Sequence, residues 1–579
     1  MKVTLVNENF KNDYLNNLLR ARGVTDLDEF LNPTVKSLTD PARLCNIINA
    51  RRILDYTLTA RNTKILIVVD ADVDGYTSGA IMYNYIKFIN PEQYIDYVLH
   101  EHKQHGLSDI YESIINSDIH YDLIILPDSS SNDYIYHEEL GKIGTICLVL
   151  DHHEIDPGQK ISDYACIVNN QLSPDYPNKD LTGAGVTWQF CRFHEQFRIV
   201  RSNYADNLID LAALGICGDM GSVLSLENRY IMKKGFNNII NYFFAKAVEK
   251  QAYSMGDKIN ATTVAFYIVP MMNAMIRVGS MEEKDRLFRA LINGHELVAC
   301  NKRGAKGTTE ELAVESLREC TNAKAKQTRI TDQMVDKLEQ KIFKYDLLEN
   351  KILFVRLEDD DDFPPEINGL IAMKLCAKYK RPTIVARLND EGYDRGSLRN
   401  DNNCELGDFK AFLNNSGYFE YAQGHANAAG CSIKDQSLRA FHEYANAALA
   451  NINFNEDVYD VNFIVDYNDP NFERMLFELG SNPEVWGQNN NEPLIYVPDI
   501  PLFFDDVTIM GAKKDTIKIT KNGVSFIKFH ATQMIEELRE CDDIKLSIVG
   551  RANINEWMGN QTAQVFIEDY EIKNNLLEF

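Results

Sequence analysis

The sequence predicts an α/β protein organised around a parallel β-sheet, and two observations support this prediction. Four short apolar runs, each the length of a buried parallel strand, end in acidic or imidazole side chains. These runs cover residues 65–69, 123–126, 147–150 and 211–216. Longer amphipathic segments separate the runs, which is the alternation typical of βαβ units. We therefore expect one parallel sheet whose strands end at a common polar edge.

The rest of the chain predicts further domains. Residues 302–344 are charged and carry apolar side chains at helical spacing, which indicates long helices between two domains. Residues 352–355 and 383–386 look like strands on either side of a helix over 367–379. From about residue 495 the chain contains short alternating strands, which are typical of a small barrel such as an OB-fold.

These patterns divide the chain into five predicted parts. The parts are amino-terminal helices with the parallel-sheet domain in 1–250, linker helices in 251–345, a second α/β domain in 346–455, a connector in 456–494 and an OB-like β-barrel in 495–579. The acidic run 358–362 lies between a strand and a helix of the second α/β domain, and we expect it to be a solvated loop.

Composition and charge limit the classes of function. The 579 residues are 45% hydrophobic and 25% charged, and we expect no apolar stretch long enough to span a bilayer. Eleven cysteines without a Cys-x-x-Cys pair, and no apolar leader, favour a cytoplasmic protein, in the host cytoplasm if the origin is viral. With a net charge of −25, nucleic acid would need a local basic track, whereas a small phosphate ester suits the charge equally well.

Carboxylates and imidazoles concentrate at the ends of the four apolar runs. The residues are Asp70, Asp72 and Asp74 after the first run, Asp128 after the second, Asp151, His152 and His153 after the third, and Asp219 after the fourth. Because the carboxyl ends of parallel strands meet at one crevice, we expect these side chains to lie together. So many carboxylates cannot share a site unless cations neutralise them.

This set of donors predicts a pair of divalent cations. Carboxylate with imidazole suits Mn²⁺ or Mg²⁺, with Zn²⁺ as an alternative. Two such ions commonly cleave phosphate esters by activating water, so no protein nucleophile is required. The expected metal ligands are Asp70, Asp72, Asp74, Asp128, His152 and Asp219, and the expected catalytic residues are Asp72, Asp74, Asp128, His152, His153 and Asp219. A single Asp after a strand is equally often a helix cap or a loop residue, so the prediction depends on the combination.

Two short segments of the second α/β domain are candidates for binding phosphate. They are Gly396-Ser397-Leu398-Arg399, after a predicted strand, and the small-residue run 424–430 around His425. Small residues allow close approach to the backbone, and Ser, Arg and His side chains donate hydrogen bonds to phosphate. Taken alone, a small-residue loop of this kind more often reflects packing or turn geometry.

With these motifs, the sequence resembles the DHH phosphoesterase superfamily and, within it, the RecJ single-stranded DNA exonucleases. The metal motifs match in order at Asp70 to Asp74, Asp128, Asp151-His152-His153 (the motif that names the superfamily) and Asp219. Residues 424–430 resemble the Gly-Gly-His-Ala-x-Ala-Gly signature of the DHH-associated domain, with Gln423 in place of its first glycine. Residues 396–399 resemble the Gly-Ser-x-Arg segment of that domain.

The resemblance implies a DHH catalytic domain that faces a substrate-binding DHH-associated domain across a narrow channel, with an OB domain that guides the strand. It implies processive 5′-to-3′ release of 5′-mononucleotides from single-stranded DNA with Mn²⁺ or Mg²⁺, as in DNA repair or recombination. The substrate contacts that it suggests are Ser397, Arg399, Gly424, His425 and Arg277. The protein partners that it suggests are a single-stranded-DNA-binding protein or a helicase.

Two other functions remain open at this point. The first is a DHH phosphodiesterase that acts on very short oligonucleotides or a cyclic dinucleotide, although such substrates need no OB domain. The second is a non-catalytic DHH replication scaffold, although a scaffold should have lost metal ligands, and every expected Asp and His is present.

Overall fold

The computed structural model describes residues 1–198, 202–256, 258–302, 304–305, 307–358, 365–540 and 544–574. The chain divides into two compact units. One consists of Asp28–Arg329 with Glu484–Asn490, and the other of Met1–Leu27, Ile330–Pro483 and Asn491–Phe579. This grouping differs from the predicted division, which placed all amino-terminal residues with the parallel sheet. Most of the acidic run 358–362 lies outside the described residues.

The amino-terminal segment was expected to be mostly helical, but it begins with a strand. Its elements are β1 (Lys2–Leu5), α1 (Tyr14–Ala21), α2 (Leu27–Leu31) and α3 (Ile47–Thr59). Gly23, with a φ of 89°, ends the turn after α1, and the N–H of Val24 bonds back to the carbonyl of Leu19.

The unit formed by Asp28–Arg329 contains the parallel sheet that the sequence predicts. Its strands are β2 (Lys64–Val69), β3 (Tyr94–Leu99), β4 (Leu123–Pro127), β5 (Ile146–Asp151) and β6 (Ala165–Asn169). They lie in the order β3-β2-β4-β5-β6, and every pair is parallel. Alternate side chains of β2 and β4 enter two different core clusters, one on each face, which is why these strands are apolar throughout.

Helices connect the strands of this sheet from β2 to β5, and further helices follow β6 in the sequence. They are α4 (Val73–Ile89), α5 (Tyr111–Ile115), α6 (Tyr134–Lys142), α7 (Gly183–Gln196), α8 (Ile209–Gly218), α9 (Leu226–Asn237), α10 (Tyr242–Met255), α11 (Ala261–Tyr267), α12 (Val269–Val278) and α13 (Met281–Asn293). A short hairpin of β7 (Leu297–Ala299) and β8 (Thr309–Glu311) precedes the long helix α14 (Leu312–Lys344). The linker was therefore correctly expected to be helical, and the hairpin was missed.

Two local predictions in this unit were wrong. The run 211–216 forms α8 instead of a strand, because a helix buried on all sides is as uniformly apolar as a buried strand. Residues Ala261–Val278 are also long and apolar enough to cross a membrane by length and composition, contrary to the expectation. They form α11 and α12, and buried side chains of both helices, such as Val264 and Met272, belong to the main core of the unit.

The second α/β domain has a mixed sheet. Its elements are β9 (Leu353–Leu357), α15 (Asn368–Tyr379), β10 (Thr383–Leu388), β11 (Tyr393–Arg399), α16 (Phe409–Ser416), β12 (Phe419–His425), β13 (Ala428–Lys434) and α17 (Leu438–Ala448). The strand order is β12-β13-β11-β10-β9, in which only β9 and β10 are parallel.

The C-terminal region is mainly β-structure. It contains β14 (Val458–Val461), β15 (Phe463–Ile464), α18 (Phe472–Gly480), β16 (Leu494–Leu502), β17 (Val507–Met510), β18 (Thr516–Lys521), β19 (Val524–Lys528), α19 (Thr532–Arg539), β20 (Ile544–Trp557) and β21 (Asn560–Asn574). Seven of the strands form one sheet in the order β15-β16-β20-β21-β19-β18-β17. Strand β1 pairs in parallel with β14, which explains why Met1–Leu27 belongs to this unit.

Candidate metal centre and substrate-binding residues

The acidic motifs lie at the carboxyl ends of three adjacent strands. Asp70 directly follows β2, Asp128 follows β4, and Asp151 is the last residue of β5. Asp72 caps α4 by accepting a 3.0 Å hydrogen bond from the backbone N–H of Gly75. The parallel pairing of β2, β4 and β5 brings these carboxylates to one edge of the sheet.

His152 lies in the middle of the carboxylates. Its Nε2 is 3.2 Å from Asp128 Oδ1, 3.6 Å from Asp219 Oδ2 and 3.9 Å from Asp74 Oδ2. The groups whose ligand atoms lie within 4.8 Å of one another are Asp74, His152 and Asp219; Asp70, Asp72 and Asp128; and Asp128, Asp151, His152 and His153. Asp128 belongs to two of these groups and His152 to two, so the residues offer adjacent positions for divalent cations.

The N-terminus of α7 holds the carboxylate of Asp74. One oxygen of Asp74 accepts hydrogen bonds from the hydroxyl of Thr182 at 2.9 Å and the N–H of Ala184 at 3.1 Å. The other oxygen accepts a 2.7 Å hydrogen bond from the N–H of Gly183. Free N–H groups and the helix dipole favour negative charge at this position, so Asp74 is fixed in one orientation.

Three glycines leave room for the cluster. A Cβ on Gly183 would lie 2.2 Å from Asp128 Oδ1, and one on Gly215 would lie 2.5 Å from Asp74 Oδ1. A Cβ on Gly75 would lie 2.5 Å from the Cβ of Asp70. Since side-chain carbons do not approach other atoms so closely, a larger residue at any of these positions would have to displace the group that its Cβ meets. The backbone is therefore shaped around the carboxylates.

The carboxylates of the cluster repel one another, which indicates that bound cations neutralise them. Burial, with the nearby charges of Asp74 and Asp72, raises the pKa of Asp128 well above its ordinary value. Burial, Asp74 and Asp72 also raise the pKa of Asp219 to about 7. Across the part of the chain that the structure describes, Asp70 Oδ1 and Asp128 Oδ1 are buried and accept no hydrogen bond. Crowded carboxylates with free oxygens and one imidazole fit divalent cations such as Mn²⁺ or Mg²⁺.

Asp151 orients the imidazole of His153 and fixes the backbone at His152. Its Oδ1 accepts hydrogen bonds from the backbone N–H groups of His152 at 2.7 Å and His153 at 3.1 Å, and lies 2.8 Å from Nδ1 of His153. Burial alone would lower the pKa of His153, but the hydrogen bond to Asp151 and the negative charges of Asp151, Asp70 and Asp219 together outweigh burial and raise the pKa to about 9. The His153 ring is 48% exposed, so it borders the cluster on its solvent side.

Sequence reasoning missed two histidines at this site. His105 Nδ1 lies 2.5 Å from Asp70 Oδ2, and His100 Nε2 lies 4.0 Å from Asp70 Oδ1. Both follow β3, an edge strand whose half-buried residues do not form an apolar run. The signal was present as three imidazoles in six residues, at positions 100, 102 and 105.

Four of the five predicted substrate contacts lie together in the other compact unit. Ser397 and Arg399 are on β11, and Gly424 and His425 end β12. Arg399 and His425 both pair with Ala428 of β13 and therefore lie on the same face of the sheet. Gly424 has a φ of 131°, which glycine alone adopts readily.

Arg277, the fifth predicted contact, lies elsewhere. It is on α12, in the unit that contains the carboxylate cluster, and its side chain is half-buried. The structure therefore groups the predicted metal ligands with Arg277 and groups the remaining four substrate-binding candidates separately.

Comparisons with known proteins agree with this architecture. The sequence model of the DHH family, N-terminal domain, matches residues 64–216, which include the metal motifs up to the last turn of α8. The model of the RecJ OB domain matches residues 465–569. The match to the OB domain begins within the segment that was predicted to be a connector.

Relatives match nearly the whole chain. YorK of Bacillus subtilis, an SPbeta prophage-derived protein named as a single-strand DNA-specific exonuclease, is 36% identical over 99% of this chain and 98% of its own length. RecJ of Bacillus subtilis, a single-stranded-DNA-specific exonuclease, is 26% identical over 88% of this chain and 61% of its own length. The chain belongs to the RecJ-like branch of the DHH family.

The fold is also that of a solved relative. RecJ of Thermus thermophilus, crystallised with Mn²⁺, superposes with a TM-score of 0.69 and 22% sequence identity. The match covers 96% of this chain and 76% of the Thermus chain. The expected fold class, with a parallel-sheet DHH domain, linker helices and a C-terminal OB domain, is therefore confirmed.

Proposed function

We propose that this protein is a divalent-cation-dependent exonuclease that removes 5′-mononucleotides from single-stranded DNA in the 5′-to-3′ direction. The observation that carries the proposal is the cluster of carboxylates around His152, in which two buried carboxylate oxygens accept no hydrogen bond from the described residues. The names of YorK and RecJ both refer to a single-strand DNA-specific exonuclease, which supports the choice of substrate.

The residues of the cluster would hold two cations. Asp74, His152 and Asp219 would hold one, Asp70 and Asp72 the other, and Asp128 would contact both. When bound, the cations supply positive charge that stabilises a phosphate under attack and make a water molecule more acidic. Each of these side chains acts by holding its oxygen or nitrogen in place before substrate arrives.

The other residues at this edge of the sheet fix the geometry of the ligands. The N-terminus of α7 prevents rotation of Asp74, because both carboxylate oxygens accept hydrogen bonds from it. Asp151 holds His153 through Nδ1 and leaves the rest of the ring exposed next to the cluster. We propose that His153 binds a phosphate oxygen of the strand at the point of cleavage.

Substrate would be held by groups outside the cluster. We propose that Arg399 and Ser397 bind phosphate together with His425, since all three lie on one face of the second sheet. Arg277 would bind phosphate from the unit that contains the metal ligands. The OB domain would guide the incoming strand. We further propose a cytoplasmic location and a single-stranded-DNA-binding protein or a helicase as protein partner.

The test uses one long single-stranded DNA, labelled at its 5′ end in one reaction and at its 3′ end in another, with the full chain and Mn²⁺. We expect early release of 5′-labelled mononucleotide while the 3′ label remains in long strands. The matched control is Asp128→Ala, which should release neither label. Early loss of the 3′ label would reject the direction. If the long strand is not cut, di- and trinucleotides and cyclic dinucleotides are tested next, and their cleavage would favour a small-substrate phosphodiesterase.

A further inference from the structure

A segment outside the metal motifs contacts Asp70, and the proposed function gives this segment no role. This segment, 100–107, connects β3 to the region before α5 and carries His100 and His105. We propose that it is a positioning device for the cation held by Asp70, with His105 as the residue that fixes this carboxylate. The inference rests on the cation site of the proposed function and is independent of the substrate.

His105 makes the direct contact with Asp70. This carboxylate is fully buried, and its Oδ2 is 2.5 Å from His105 Nδ1. Because an ionised carboxylate only accepts hydrogen bonds, Nδ1 of His105 must be the donor. Oδ1 of Asp70 accepts no hydrogen bond among the described residues, so this oxygen remains available to a cation. His105 thus determines which of the two oxygens is presented.

The imidazole of His100 packs beside the carboxylate of Asp70. The side chain of His100 is fully buried, and its Nδ1 lies 2.9 Å from Asp109 Oδ2. Its Nε2 is 4.0 Å from Asp70 Oδ1, which is beyond hydrogen-bond distance. His100 therefore limits the movement of Asp70 without using the oxygen that remains available to the cation.

The segment is held at both ends. Lys284 of α13, which is 2% exposed, donates a 2.5 Å hydrogen bond to the carbonyl of Glu101. At the other end, the N–H of Leu107 donates a 2.9 Å hydrogen bond to Asp133, and Gly106 has a φ of 71° that brings its backbone against the same carboxylate. The segment is fixed on both sides of His105, as a group that orients a metal ligand requires.

The test measures Mn²⁺ binding to the full chain after metal removal, using isothermal titration calorimetry, and the magnetic coupling between two bound Mn²⁺ ions, using low-temperature electron paramagnetic resonance. We expect the wild-type protein to bind two coupled ions. His105→Ala should weaken one of them about 10- to 100-fold and abolish the coupling at subsaturating Mn²⁺, while the other keeps its affinity. His105→Asn, which retains a donor near the position of Nδ1, should restore part of the loss.

The matched control is His102→Ala, an exposed histidine in the same segment, which should bind both ions as the wild type does. Unchanged affinity at both positions in His105→Ala would overturn the inference. Equal weakening at both positions, with a lower melting temperature of the metal-free protein, would also overturn it, because that result describes general destabilisation. Failure of the wild type to bind Mn²⁺ would instead reject the metal centre of the proposed function.

Discussion

The contact between Gly183 and Asp128 allows a quantitative prediction. In Gly183→Ala, the new Cβ would lie 2.2 Å from Asp128 Oδ1, whereas Cβ atoms do not approach other atoms within 3.0 Å. The carboxylate must therefore move by about 0.8 Å or more, and a displacement of about 1 Å at a reacting centre reduces rates about 100-fold. We expect kcat to fall about 100-fold, equivalent to about 2.7 kcal/mol, in a single-turnover assay of nucleotide release.

The neighbouring glycine of the same helix provides the control. A Cβ on Gly185 would lie 2.3 Å from Cδ1 of Leu181, so Gly185→Ala also overpacks the beginning of α7 but leaves Asp128 in place. This variant should have a lower melting temperature with kcat within a few-fold of the wild type. Two results would refute this reasoning. They are a wild-type kcat in Gly183→Ala and an equal loss of activity in both variants, because either would show that catalysis does not depend on where Gly183 allows the Asp128 carboxylate to lie.

Three further predictions concern single side chains. Asp128→Ala should abolish hydrolysis but retain binding of single-stranded DNA in a gel-shift assay, because it removes the ligand next to both cation positions. Arg399→Ala should raise KM with little change in melting temperature; an unchanged KM and kcat would remove Arg399 from the substrate site. Burial lowers the pKa of His194 to about 4, so this imidazole stays neutral in the folded state at pH values where the unfolded chain already protonates it. The stability that the neutral imidazole contributes is therefore lost as pH falls from about 6.5 towards 4. The melting temperature of His194→Gln should decrease less than that of the wild type over this interval.

The sequence was informative wherever local pattern determined structure. Strands β2, β4 and β5 were recognisable because burial on both faces requires continuous apolar runs, and Asp70, Asp128 and Asp151 followed directly from their ends. The same reasoning was wrong for the run 211–216, since α8 is buried on every side and therefore has no polar face. Asp219 still reaches the cluster, because the residue after the last turn of α8 lies at the same edge of the sheet.

Contacts between residues distant in sequence could not be predicted in this way. Asp74 is bound by N–H groups that lie about 110 residues later in the chain, and nothing in the local pattern of α7 indicates which carboxylate it will bind. His105 illustrates a second reason. It follows β3, whose position at the edge of the sheet permits polar and half-buried residues, so the strand gives no apolar run to mark its end.

Repulsion within the metal-free cluster leads to a last prediction, about stability. Asp128 is buried beside Asp74 and Asp72, and its pKa is raised well above the ordinary value, which means that its ionised form is unfavourable in the folded state without cations. Asp128→Asn removes this charge, so we expect the metal-free variant to melt at a higher temperature than the metal-free wild type. Mn²⁺ at about 100 times its Kd should stabilise the wild type by about 2.7 kcal/mol per site, and Asp128→Asn should lose most of this gain. Differential scanning fluorimetry in EDTA and in Mn²⁺ measures both effects. A variant that melts below the wild type in EDTA would show that Asp128 stabilises the metal-free fold, and a wild type that gains no stability from Mn²⁺ would show that cations do not bind the cluster.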